Sequence, residues 1–155
     1  MRFTKVFAVA LAAVTVATSA FAGDAIMIKD PYARSAGKAA KTGAAFMMIM
    51  NHGTEDDRLV DVKSDVAARV ELHTHKENAD GVMQMLHVEE GFAIPAGEMH
   101  GLQRGGDHVM FMGLNQPFVQ GDMIPVTLVF EKAGEVEIEV PVDLERKPEA
   151  GAHKH

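Results

Sequence analysis

Cysteine is absent from this 155-residue sequence. The absence excludes disulfide bonds, a thiol nucleophile and a zinc site built on thiolates. It also excludes a blue-copper electron-transfer centre, because that centre requires a cysteine thiolate. Methionine, in contrast, occurs eleven times. A thioether is a soft metal ligand, and outside the reducing cytosol it is more durable than a thiolate.

The sequence also lacks an apolar run long enough to span a membrane, which takes about 20 residues. Its longest run, residues 6–17, follows the positive charges of Arg2 and Lys5 and precedes small residues at Ala20 and Ala22. This order is typical of an export signal, so we predict cleavage after Ala22 and an exported protein without stable membrane insertion.

Positive charge is in short supply, with 15 basic residues against 22 acidic ones. Removal of the signal, residues 1–22, takes away two basic residues and leaves 13 against 22, a net charge of −9. Such a protein is a poor candidate for binding nucleic acid, but it suits a carrier of cations. We predict one domain over residues 23–144 and a polar, mobile tail over residues 145–155.

Short apolar segments separated by turn residues predict an all-β sandwich or barrel. The clearest hairpin joins residues 124–131 to 135–142, where Val136, Ile138 and Val140 alternate with glutamates. The other predicted strands are residues 25–29, 43–51, 58–63, 69–73, 81–88 and 108–113. We expect a turn at Asp30-Pro31 and no helix after the signal.

Histidine and methionine are concentrated between residues 71 and 112. Side chains alternate along a strand, so His108, Met110 and Met112 share one face, and Val109 and Phe111 take the other, which we assign to the core. For Met112 we prefer a packing role, because methionine fills irregular gaps well.

Two further pairs lie upstream at the same spacing. His73 and His75 share one face of a strand, and Met83 and Met85 follow beyond the Asp80-Gly81 turn, which folds them back toward the histidines. Periodicity alone does not choose between the members of either pair.

Imidazole combined with thioether indicates copper. Thioether is soft and neutral and favours Cu(I), whereas imidazole accepts either oxidation state of copper. Zinc seldom takes thioether, and calcium and magnesium prefer oxygen ligands.

With these residues in place, the sequence resembles the periplasmic copper chaperones of the PCu(A)C family, formerly a domain of unknown function. The family signature is His, ten residues, Met, twenty-one residues and then His-x-Met. His73, Met85, His108 and Met110 match it, although each gap here is one residue longer. The resemblance covers most of the mature chain and includes residues 32–34, 43–46, 55–59, 69–73, 94–97, 105–106 and 112–114.

The resemblance implies a cupredoxin-like Greek-key β-sandwich that binds Cu(I) at an exposed site and is not an enzyme. It implies His73, Met85, His108 and Met110 as the ligands. The implied partner is the copper-site subunit of cytochrome c oxidase or another copper chaperone. A copper storage or resistance protein is an alternative. A metal-dependent β-barrel oxygenase using Glu71 and His73 is a further one, but it leaves the methionines unexplained.

The remaining histidines and methionines receive other expectations. His75 is the candidate for an additional or alternate ligand, and His153 with His155 for a second site that takes Cu(II). We expect Met47, Met48 and Met50 to pack in the core and His52 to be merely exposed. His87, Met99 and His100 are poor candidates for ligands.

Overall fold

The computed structural model describes residues 25–147, which form two antiparallel sheets. The larger has the order β1-β2-β8-β4-β5, with β7 also paired to β2, and the smaller has the order β10-β9-β3-β6. The strands are β1 (Ile26–Ser35), β2 (Thr42–Asn51), β3 (Asp57–Lys63), β4 (Ala67–Glu77), β5 (Met83–His87), β6 (Phe92–Ile94), β7 (Met99–Leu102), β8 (His108–Leu114), β9 (Met123–Phe130) and β10 (Gly134–Pro141).

The core lies between the two sheets. From the larger sheet, Leu72, Val109 and Phe111 point inward and are essentially buried, and Leu128 and Phe130 meet them from the smaller sheet. The inward assignment of Val109 and Phe111 is therefore confirmed. Because side chains alternate along each strand, the same geometry places His108 and Met110 on the outer face of the larger sheet.

The β9–β10 hairpin follows the predicted alternation of apolar and acidic residues. A side chain from β3 holds its turn, since the buried carboxylate of Asp57 accepts hydrogen bonds from the backbone N–H groups of Lys132 and Ala133. Asp57 also accepts a hydrogen bond from the N–H group of Arg58. These bonds connect segments some seventy-five positions apart in the chain.

Three features differ from the prediction. β1 runs through Asp30-Pro31 with a register shift instead of turning there, and Asp30 has a φ of 51°. β6 and β7 are too short, at three and four residues, to give a recognisable pattern. The approach to β6 depends on Gly91, because a Cβ atom there would lie 1.9 Å from the carbonyl oxygen of Leu59.

The expectation that three methionines of β2 pack in the core holds for only one of them. Met47 is buried, but Met48 and Met50 lie on the outer face of the sheet and are half-buried. Met112 also lies on the outer face, opposite Arg69 of β4, so its prediction as core filler was wrong. In β2 a long apolar run hid the alternation, whereas for Met112 the shared face with His108 already indicated the outer side.

The chain beyond Leu144 returns to β1. Arg146 forms an ion pair with Asp30 and places its guanidinium 4.2 Å from the ring centre of Tyr32. The predicted tail lies mostly outside the described residues, as does the export signal. The described segment contains no helix with the length and apolar character to cross a membrane.

Candidate metal centre

Three neighbouring strands bring the predicted ligands together on the outer face of the larger sheet. His108 of β8 lies directly opposite His73 of β4, and Met110 lies opposite Glu71. On the other side of β4, Met85 of β5 lies opposite His75. Directly opposite residues in an antiparallel pair have Cβ atoms about 4.5–5.5 Å apart, so these side chains are immediate neighbours.

His108 is fixed by its own loop. Its Nδ1 lies 2.9 Å from the carbonyl oxygen of Gly106, to which it donates in the neutral ring, leaving the lone pair on Nε2. Burial lowers the pKa of His108 below the usual imidazole range, against the opposing effect of the bond to Gly106. The ring is therefore neutral at neutral pH, the form in which imidazole binds a metal.

His75 uses the same carbonyl group. Its Nδ1 lies 3.2 Å from the oxygen of Gly106, and its ring centre lies 5.1 Å from that of His108. One backbone oxygen thus orients two imidazoles and leaves the Nε2 atom of each for another partner. Metal-binding histidines usually hold a carbonyl or carboxylate through the nitrogen that does not bind the metal.

His73 has the opposite arrangement. Its Nε2 lies 2.9 Å from a carboxylate oxygen of Glu71, and its Nδ1 is buried without a hydrogen-bond partner. The bond from His73 holds the pKa of Glu71 below its usual range, with Arg69 assisting. Because Glu71 is therefore an acceptor, Nε2 donates, and the lone pair of the neutral ring lies on the unpartnered Nδ1. Leaving a buried polar atom unsatisfied costs about 1–3 kcal/mol.

The thioethers differ in exposure. Met110 is half-buried between β4 and β2, whereas Met85 is 51% exposed on the edge strand β5. An open pocket of about 360 Å³ is lined by His75, Met85, His108 and Met110. Met83, the alternative to Met85, lies opposite Glu77 and does not line it.

Two observations point to different imidazoles of β4 as the metal ligand. His75 lines the pocket and His73, only 9% exposed, does not. His73 nevertheless has its ring centre 5.9 Å from that of His108 and carries the unpartnered nitrogen. The unpartnered nitrogen favours His73 as the ligand from β4, because a bound ion would satisfy a buried lone pair that has no hydrogen-bond donor.

Sequence reasoning missed the loop that holds the site. Asp107 accepts hydrogen bonds from Thr74 of β4 at 2.6 Å and from His100 of β7 at 2.8 Å, and it thereby positions the carbonyl of Gly106. The signal was the Gly105-Gly106-Asp107 sequence directly before β8, to which no role at the site was assigned.

Other candidates lie away from the pocket. His100 is occupied by Asp107 and stacks on Phe92, with ring centres 5.1 Å apart. His87 lies opposite His73 on β5 and reaches within 3.9 Å of Glu71. His153 and His155 lie outside the described residues.

Comparison with solved structures shows the class of this fold. The chain is similar to the copper-bound PCuAC domain from PmoF2, with 27% identity, a TM-score of 0.63, and coverage of 77% of this chain and 93% of that one. It is similar to the apo PCuAC domain from PmoF1, with 26% identity, a TM-score of 0.64, and coverage of 77% and 94%. For the Cu(I) form of DR1885 from Deinococcus radiodurans the identity is 25%, the TM-score 0.58, and the coverage 82% and 86%. The fold is a cupredoxin-like β-sandwich of the PCuAC type, as the sequence resemblance implied.

The family follows from the sequence itself. Residues 26–142 match the profile of the family described as "Putative lipoprotein LpqE-like", and the chain belongs to that family. It is also 33% identical to "Putative lipoprotein Lxx21020" of Leifsonia xyli subsp. xyli over 119 residues, which covers 77% of this chain and 70% of that protein.

Proposed function

We propose that this protein is a periplasmic Cu(I) chaperone whose cargo is bound by His73, Met85, His108 and Met110. The observation that carries the proposal is the convergence of imidazoles and thioethers on one outer face, with no thiolate available. These ligands are neutral and soft, so they suit a monovalent soft ion. The copper-bound and Cu(I)-bound structural relatives support this choice of metal.

The exposure of the site supports transfer as its task. Met85 lies on an edge strand whose five residues are all exposed, so an incoming ligand can approach it from solvent. An enclosed cage would release its ion more slowly. We propose the copper-site subunit of cytochrome c oxidase, or another copper chaperone, as the recipient. The lipoprotein names of the relatives fit export, and we propose that the signal directs the chain to the periplasm.

The structure gives less support to an oxygenase. Such sites combine histidine with carboxylate around a harder metal. Within residues 25–147, no group of three or more histidine, aspartate or glutamate side chains is placed to hold a metal ion. Glu71 is instead engaged with His73 and Arg69.

Alanine substitution of each ligand tests the site. We expect His73→Ala, Met85→Ala, His108→Ala and Met110→Ala each to weaken Cu(I) binding at least tenfold in competition with a chromophoric chelator. Thermal unfolding checks that the sandwich is intact. Full affinity in two of the four variants would show that the site is wrong.

A second pair of variants separates the β4 imidazoles. If His73 is the ligand and His75 an alternate, Glu71→Gln should weaken Cu(I) binding, because the carboxylate that fixes the His73 tautomer is lost. His75→Ala should have the smaller effect. The reverse order would assign the site to His75.

A transfer experiment separates the chaperone from a storage protein. The Cu(I)-loaded protein is mixed with the apo copper domain of cytochrome c oxidase, and copper is measured in each protein after separation. We expect copper in the acceptor. Complete retention by the donor would instead support storage or resistance.

The tail has its own test. We propose that His153 and His155 hold a second ion, Cu(II), since Cu(II) prefers nitrogen donors to thioethers. Deletion of residues 153–155 should weaken Cu(II) binding and leave Cu(I) binding unchanged. A loss of Cu(I) affinity would contradict the assignment of both sites.

A further inference from the structure

A second group of methionines lies on the same outer face of the larger sheet, at the opposite end of β2. Met50 of β2 lies directly opposite Met27 of β1 on one side and Met99 of β7 on the other. We call Met27, Met50 and Met99 the methionine row. Phe46, which lines the pocket, is four residues away from Met50 along β2, or about 13 Å at the rise of a strand.

The register alone brings the three side chains together. Directly opposite residues point to the same face, and their Cβ atoms lie about 4.5–5.5 Å apart. Methionine has three rotatable bonds beyond its Cα atom, so the outer two side chains can turn toward the central one. The three thioether sulfurs can therefore approach a single point above Met50.

The row is open to solvent. Met27 is 45% exposed and Met99 is 60% exposed, while Met50 between them is half-buried. These three side chains point away from the core, and two of them are exposed, so they contribute little to it. Packing therefore does not explain why all three positions carry sulfur.

Two side chains, Met48 and Lys29, flank the row on the same face. Met48, the next outward residue of β2, has its sulfur 3.8 Å from the amide nitrogen of Gln103. Lys29 lies opposite Met48 and brings one positive charge near the row. A cation with a single charge is repelled less by that ammonium group than a divalent one.

Three neutral thioethers are a soft donor set. Soft sulfur ligands select Cu(I), and zinc, calcium and magnesium prefer nitrogen, thiolate or oxygen. We propose that the methionine row is a second metal site, built only from thioethers, that binds one Cu(I) or Ag(I) ion more weakly than the imidazole-containing pocket.

The test uses Ag(I), which does not oxidise in air, and the full chain labelled with ¹³C at the methionine methyl groups. We expect two ions to bind at sites that contain methionine, apart from any ion held by His153 and His155. The methyl signals of Met85 and Met110 should shift first, and those of Met27, Met50 and Met99 should shift with the second ion. Unshifted row signals at saturation would overturn the proposal.

Leucine variants remove the sulfur and keep the apolar volume. Met27→Leu/Met50→Leu/Met99→Leu should lose one bound ion, and each single variant should weaken the second binding event at least tenfold. Met47→Leu is the matched control, because Met47 is on the same strand but faces the core, and it should keep both ions. Unchanged stoichiometry in the triple variant would show that the row is only an apolar surface.

The pocket and the row can fail separately. His108→Ala/Met110→Leu should abolish the first binding event and leave the shifts of the row intact. If that double variant also silences the row, the row is not an independent site. If the row binds while the pocket does not, the proposed chaperone site is wrong and this proposal stands.

Discussion

The β9–β10 and β4–β5 hairpins have similar ladders of backbone hydrogen bonds, but they differ in how many side chains they bury in the core. In β9–β10, four residues of β9 and Val140 of β10 are buried, and the exposed side chains of β10 are all acidic. In β4–β5, every residue of β5 is exposed, and the strand is held by its pairing to β4 and by its turn. One hairpin stabilises the sandwich, and the other has side chains free to bind.

The largest expected effect is on the stability of the first hairpin. Phe130→Ala removes a side chain that is only 2% exposed and should lower the free energy of unfolding by about 3–5 kcal/mol. Glu137→Ala, on the exposed face of the same hairpin, should change it by less than about 0.5 kcal/mol. Urea denaturation measures both. Equal effects would contradict the division of this hairpin into a buried and an exposed face.

The next largest effect is expected in the β4–β5 hairpin. It concerns the affinity for Cu(I) and not the free energy of unfolding. Met85→Leu keeps the volume of the side chain and should weaken Cu(I) binding about tenfold, equivalent to about 1.4 kcal/mol. Its free energy of unfolding should remain within about 0.5 kcal/mol of wild type.

Met83→Leu is the control for that variant, since Met83 is two residues away on the same face of β5. It should retain wild-type affinity, measured by the same chelator competition. A loss in Met83→Leu with none in Met85→Leu would show that the other thioether is the ligand.

The smallest expected effect is in the loop between β7 and β8. Asp107→Asn weakens the bonds to Thr74 and His100 that position the carbonyl of Gly106, and we expect Cu(I) affinity to fall about threefold, equivalent to about 0.7 kcal/mol. Asp65→Asn, whose side chain is distant in sequence and lines a different pocket, should have no effect.

A spectroscopic measurement separates positioning from a general loss of structure. Nitrogen NMR of His75 and His108 should show the Nδ1–H tautomer in the wild-type protein and a mixture of tautomers in Asp107→Asn. Unchanged tautomers combined with weaker binding would mean that Asp107 acts in another way.

The alternation of side chains was enough to predict much of this molecule. It predicted the β9–β10 hairpin, because apolar residues and glutamates alternate in β10. It also predicted the shared face of His108 and Met110, because residues two apart in any strand point to the same side. It failed for Met48 and Met50, since a strand that is apolar on both faces gives no sign of which face is outward. β6 and β7 were not predicted, because three or four residues are too few to show an alternation.

The candidate site shows which parts of the structure the sequence did not predict. The resemblance to the family signature implied His73, but it did not contain the register of β4 with β5, which places Met85 opposite His75. That register depends on the turn in which Asn78 accepts hydrogen bonds from Asp80 and Val82. Backbone contacts such as those of the Gly106 carbonyl leave no distinct residue pattern.

The shared carbonyl of Gly106 has a consequence for the speed of metal exchange. The ring of His108, a proposed ligand, and that of His75, the additional or alternate ligand, are both held by this oxygen and have lost most of their rotational freedom before an ion arrives. Binding then requires little further ordering, and release restores little entropy, so the free-energy barrier of either step contains only a small reorganisation component. Any shift of the Gly106 carbonyl oxygen would therefore reorient the rings of His75 and His108 together.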